Sequence, residues 1–258
     1  MTRASDAVNA QTSVGPRAAG RLAGRIAVVT GASSGIGRAI AIALSKEGAE
    51  LCAIGRNRTA LAETASVASD HSRVVSFEMD LERGGDFEPL LEHLEGEGNL
   101  DILVHCAGVM QPGRMESARI EDFDSQYAVN VRAPYLLTQR LMPFLVAAHG
   151  QIVFINSSVA LSVKHADLGQ YSATKHALKA IADSVREELN PQGVRVLSVY
   201  AGRTATPLQE ARFREEKRAY HPERLLQPED VASVVLHALL LPLTAEVTDI
   251  SIRPMCKS

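Results

Sequence analysis

From Arg25 onward the chain alternates short runs of β-branched and aliphatic residues with longer stretches whose apolar positions recur every three to four residues. The short runs are IAVVT (26–30), ELCAI (50–54), VVSFEM (74–79), DILVH (101–105), QIVFI (151–155), VRVLSVY (194–200) and TDISI (248–252). Each is too short and too rich in β-formers to be a helix, so the pattern predicts seven strands. Helical periodicity marks about 36–48, 58–69, 86–95, 121–147, 168–189 and 229–240, mostly long enough to cover a sheet face. Strand and helix in succession predict βαβ units. With right-handed crossovers these build a doubly wound α/β fold, one seven-stranded parallel sheet with helices on both faces. Neither a repeat nor a low-complexity linker interrupts it, so a single domain is expected over residues 23–258. Its one poorly patterned interior stretch, 203–227, is a candidate substrate lid.

Composition narrows the partners. Lys and Arg total 27 against 30 Asp and Glu, a formal charge of -3 that offers no basic field to a nucleic acid. Cys52, Cys106 and Cys256 are scattered and fit neither a disulfide framework nor a zinc site, which points to a reducing, cytoplasmic compartment. No apolar run approaches the roughly 20 residues of a membrane-spanning helix, so no membrane association is expected. Residues 1–22 are rich in Ala, Ser, Gly and Arg and read as a flexible tail. Asp6 and the lack of an amphipathic stripe argue against a transit peptide.

The first candidate chemistry lies where the first strand turns into the first helix, at Thr30-Gly31-Ala32-Ser33-Ser34-Gly35-Ile36-Gly37. Such a turn needs residues free to take positive φ, and Gly35 and Gly37 let backbone amides at a helix N-terminus approach a pyrophosphate. Ser33 and Ser34 can add hydroxyl donors. After the second strand, Gly55 stands where an NAD site offers an acid to the ribose 2′-hydroxyl, and Arg56 follows with a guanidinium suited to a 2′-phosphate. Arg58 adds positive field one turn on. NADP(H) is therefore the preferred cofactor, with NAD(H) possible.

The second is Tyr171-Ser172-Ala173-Thr174-Lys175, which sets a phenol and an ammonium on one helix face. An alcohol and a ketone interconvert only if a proton moves with the hydride, and a phenol is a poor base at neutral pH unless a cation favours its anion. Ser158, 13 residues earlier and just past a strand, reaches the same carboxyl edge of the sheet. Asn130 sits among valines inside a helical stretch, where a buried amide needs partners.

With this spacing, GxxxGxG rather than GxGxxG, and with Ser158, Tyr171 and Lys175 in order, the chain resembles the short-chain dehydrogenase/reductases, in their short, single-domain branch. The resemblance runs from about Arg25 to Ile252. It implies a Rossmann-like fold and an enzyme that interconverts small-molecule carbonyl compounds and alcohols. Tyr171 would be the general acid/base, Ser158 would hold the substrate oxygen, and Asn130 would hold a water that joins Lys175 to solvent. It further implies that Lys175 bonds the nicotinamide ribose and that Asp80, beside Leu81, contacts adenine. Ala107 and Gly108 would keep a close backbone approach, and Gly202 and Thr206 would neighbour the nicotinamide. The family suggests a homo-oligomer, although the C-terminal SIRPMCKS lacks the Asp-Gly-Gly ending of tetrameric members. Two positions depart from its pattern: His105-Cys106 replaces Asn-Asn after the fourth strand, and Ala201 replaces Pro before Gly202. His105, Cys106, His165 and His176 are given no catalytic or metal role. A catalytically silent dinucleotide-binding regulator or sensor would keep the glycines but has no need of Asn130, Ser158, Tyr171 and Lys175 together.

Overall fold

The computed structural model describes residues 20–163 and 165–256, so the expected tail lies outside the described residues except for its end. That end is tied down: Arg21 pairs with Glu47 at 2.7 Å and Leu22 is buried in the core. The strands are β1 (Ile26–Thr30), β2 (Glu50–Gly55), β3 (Val74–Glu78), β4 (Ile102–His105), β5 (Gln151–Ser157), β6 (Arg195–Ala201) and β7 (Asp249–Ile252). The helices are α1 (Gly35–Lys46), α2 (Arg58–Ser69), α3 (Glu88–Glu97), α4 (Ile120–Tyr127), α5 (Ala133–Ala148), α6 (Gly169–Leu189), α7 (Pro207–Glu215) and α8 (Pro228–Leu239).

All strand pairs are parallel, in the order β3-β2-β1-β4-β5-β6-β7. Successive side chains of β1 enter different layers. Ala27 and Val29 pack with Ile40 and Leu44 of α1 and Val231 and Val235 of α8. Ile26 and Val28 pack with Leu90 of α3, Leu141 of α5 and Leu178 of α6. Both faces are covered, which is why the central strands read as unbroken apolar runs instead of alternating with polar residues. The strand order reverses between β1 and β4, and the carboxyl ends diverging there leave a crevice for a ligand.

Two stretches differ from expectation. The helix expected over 121–147 is broken into α4, a π-helical turn Ala128–Arg132, and α5. Pro134 has no N–H to give the carbonyl of Asn130 four residues back, so an unbroken α-ladder cannot form there. The unpatterned 203–227 contains α7, which starts at Thr206: its hydroxyl accepts from the Gln209 amide at 3.2 Å. Thr206-Pro207-Leu208-Gln209 is a helix-start signature legible in the sequence.

Candidate active site

The glycine turn after β1 is shaped by close approach. Gly31 has φ 70°, and a Cβ on it would lie 2.8 Å from the amide nitrogen of Ala107; one on Gly37 would lie 2.3 Å from the Gly31 carbonyl oxygen. Gly35, at φ 52°, would drive a Cβ to 2.9 Å from the methyl of Thr206. The turn is thus wedged between the loop after β4 and the start of α7. Thr30 braces it, its hydroxyl accepting from the amides of Cys106 and Ala107 at 3.0 and 3.1 Å and donating to the Val104 carbonyl at 3.3 Å. Ser34 ends this turn in extended conformation and makes no side-chain capping bond to α1, so the helix N-terminus is left to an external anion.

This turn opens on a solvent-connected cleft. Every expected cofactor contact from Gly31 to Thr206 lines it except Asp80. Asp80 instead accepts from the Glu82 amide at 3.1 Å and pairs with Arg83 at 3.5 Å, the work of a turn residue; Met79, Leu81 and Glu82 form the wall. At the same end, a Cβ on Gly55 would fall 2.8 Å from the Ser33 hydroxyl, so an acid there would displace Ser33. Arg56 lines the cleft beside it, and its guanidinium lies 3.8 Å from the Glu82 carboxylate.

At the far end α6 presents Tyr171 and Lys175, only 9% and 4% exposed. Burial pushes the Tyr171 phenol up to about 12, offset in part by a hydrogen bond with Ser157. Burial pulls Lys175 down to about 8, with the thiol of Cys106 pulling the other way. The Lys175 ammonium lies 5.8 Å from the Tyr171 ring centre and donates to the Ile155 carbonyl at 3.3 Å. Asn130 stands behind the cleft wall, fully buried within the π turn. Its side chain accepts from the Val109 amide at 2.9 Å and donates to the Val109 carbonyl at 2.9 Å and the Thr174 hydroxyl at 3.1 Å. The amide therefore ties the loop after β4 to α6.

Three sequence expectations gain detail here. Ser158 lines the cleft and is exposed, while the hydroxyl of its neighbour Ser157 accepts from the Val159 amide at 3.4 Å. The strand β5 runs two residues past the apolar segment that announces it, so Ser157 is a strand-end residue. His105 is a core residue: its ring stacks on Phe154 with centres 4.9 Å apart and bonds Thr138 at 2.8 Å, and burial holds it down to about 3. It is neutral at physiological pH. Cys106 lies beside Lys175, and burial pushes its thiol up to about 12.

A switch-point cleft, a glycine turn feeding an uncapped helix and a buried Tyr–Lys pair together describe an oxidoreductase that uses a nicotinamide dinucleotide. The short chain dehydrogenase family model matches residues 25–217, and the chain belongs to that family. It is 32% identical over 234 residues to an uncharacterized oxidoreductase of Staphylococcus epidermidis, covering 90% of this chain and 97% of that one. An alcohol dehydrogenase from the archaeon Thermococcus sibiricus, complexed with 5-hydroxy-NADP, superposes with a TM-score of 0.80 at 26% identity over 91% of this chain and 98% of that one. A short chain dehydrogenase from Mycobacterium paratuberculosis, bound to NAD, gives 0.78 at 26% identity over 90% and 97%. Among the described residues no helix is long and apolar enough to cross a membrane.

Proposed function

We propose that the protein interconverts a small carbonyl compound and its alcohol by hydride transfer, with NADP(H) as preferred cofactor and Tyr171 as acid and base. The observation that carries the reading is the buried Tyr171–Lys175 pair on the wall of a cleft whose other end is the glycine turn. The cleft suits a dinucleotide: three glycines leave no room for a Cβ where the chain must pass close to a ligand, and the first turn of α1 lacks a side-chain cap. Bound there, the nicotinamide supplies or accepts the hydride.

The chain's own groups handle the proton. With its pKa near 12, Tyr171 is a phenol at neutral pH and a ready donor to a carbonyl oxygen that gains a hydride. As a base it is scarce in the unliganded site, roughly one phenolate in 10⁵ at pH 7, so oxidation depends on the Lys175 charge, which is held only below about pH 8. Asn130 keeps the Lys175 helix in register with the loop after β4, and Pro134 leaves its backbone carbonyl outside the α-ladder as an acceptor for water.

For the substrate oxygen we assign Ser158 the donor role, because its exposed side chain lines the cleft with Tyr171, whereas the Ser157 hydroxyl accepts from the Val159 amide at 3.4 Å. Replacing Ser158 by Ala is expected to lower kcat about 100-fold or more, while Ser157→Ala stays within about threefold, in a screen of carbonyl compounds followed by NADPH absorbance. The reverse ranking would move the role to Ser157.

The preference for NADP(H) rests on Gly55, where an acid's Cβ would crowd the Ser33 hydroxyl, and on Arg56, whose present partner Glu82 is the anion a 2′-phosphate would displace. Arg56→Ala is expected to raise KM for NADPH at least about tenfold, roughly 1.4 kcal/mol, and barely to change that for NADH. Equal effects on both, or a parent enzyme that favours NADH, would overturn the assignment.

A further inference from the structure

The end of the cleft beyond Tyr171 is closed by charge more than by apolar packing. On α7 only Arg212 and Phe213 are buried. The Arg212 guanidinium donates from Nη2 to Asp167 at 2.7 Å, and its Nε lies 2.8 Å from Glu216. Arg203, in the loop after β6, donates to the same Glu216 carboxylate at 3.0 Å and lies over the Phe213 ring at 5.0 Å. Asp167 belongs to the opposite segment, the loop between β5 and α6, and its backbone carbonyl accepts from the Gly113 amide at 2.7 Å. It is anchored independently of α7. Leu208 and Arg212 line the cleft from α7, and His165 and Leu168 line it from the Asp167 loop, so one ion pair ties two walls of the same opening.

The pair is well made for a catch. Arg212 is 6% exposed and Asp167 36%, so the bond is shielded on one side yet reachable by water on the other. Opening it exchanges a charge-assisted bond for hydration of the carboxylate, whereas Arg212 keeps Glu216 and remains paired as the helix moves. An apolar seal of the same extent would have no such alternative partner.

We infer that Arg212 and Asp167 are the latch that holds α7 over the substrate end of the cleft, positioning residues that set substrate access without touching the reacting atoms. This rests on the reading of that end as the substrate side, and the experiment separates the two. Hydrogen exchange by mass spectrometry on the full chain is expected to show the amides of 207–217 exchanging at least about fivefold faster in Asp167→Asn than in the parent, with α1 unchanged. Arg212→Lys, which keeps the charge but cannot fork between two carboxylates, should shift exchange in the same direction. NADPH affinity by calorimetry should stay within about twofold, and KM for the carbonyl compound reduced fastest by the parent should rise at least about fivefold with kcat within about twofold. Unchanged exchange of 207–217 in both variants overturns the latch, as does a fall in kcat matching the rise in KM. A parent that reduces no carbonyl compound would sink the proposed activity, and the exchange result would still decide the latch.

Discussion

Tyr171→Phe is expected to lower kcat at least about a thousandfold while leaving NADPH affinity within about threefold, because it removes the one ionisable oxygen and keeps the ring. The phenol is buried and lines the cleft. The variant should therefore fold like the parent. The same ionisation predicts the pH profile of the parent. With the phenol held up to about 12 and Lys175 down to about 8, carbonyl reduction should be nearly flat below about pH 7, whereas alcohol oxidation should climb with pH only until Lys175 loses its charge near pH 8. Turnover by Tyr171→Phe within about tenfold of the parent would remove Tyr171 from the chemistry.

Lys175→Met should abolish detectable turnover and weaken NADPH binding at least about tenfold, yet raise the melting temperature of the cofactor-free protein at about pH 7. Burial holds Lys175 down to about 8, against 10.5 in an unfolded chain. Between those two values the unfolded state binds more protons than the folded one, so stability rises with pH through that window. The penalty for burying the charge is thus fully present below about pH 8 and gone above about pH 10.5. Methionine has similar length and removes that penalty, worth on the order of 1–3 kcal/mol after the lost bond to the Ile155 carbonyl is counted. The gain should be several degrees at about pH 7 and shrink as the pH approaches the unfolded value. Scanning calorimetry across that range checks the sign. A variant less stable than the parent at about pH 7, or one with unchanged NADPH affinity, would contradict the dual assignment of Lys175 as a buried cation and a cofactor ligand.

The seven strands and most of the helices were legible because a sheet covered on both faces needs unbroken apolar runs, and its crossover helices need one apolar stripe each. The GxxxGxG turn and the Tyr171–Lys175 pair were legible for a different reason: each is set by local backbone geometry, positive φ in one case and four-residue helical spacing in the other. Residues whose role depends on an approach between distant segments could be named from the sequence only by resemblance. Asp80 accepts from the Glu82 amide, the local bond that a carboxylate two residues from an amide makes first. Ser157 and Ser158 are chemically identical neighbours, and their separation depends on where β5 ends and how α6 packs against it.

The sequence by itself therefore determined the layers, the strand succession, the glycine turn and the Tyr171–Lys175 pair, all encoded over a few residues by period, spacing and glycine. Only the tertiary structure decided what long-range contact controls. It closed the Asn130 amide onto Val109 and Thr174. It buried Tyr171 and Lys175 deeply enough to move their pKa values apart from their ordinary ones in opposite directions. It also built α7 from a segment with almost no apolar face, because Arg212 finds Asp167 45 residues away in the chain and the ion pair replaces the stripe a periodicity search would need. Desolvation and charge pairing act through space, so a one-dimensional pattern carries the groups involved but not the energies they acquire on folding.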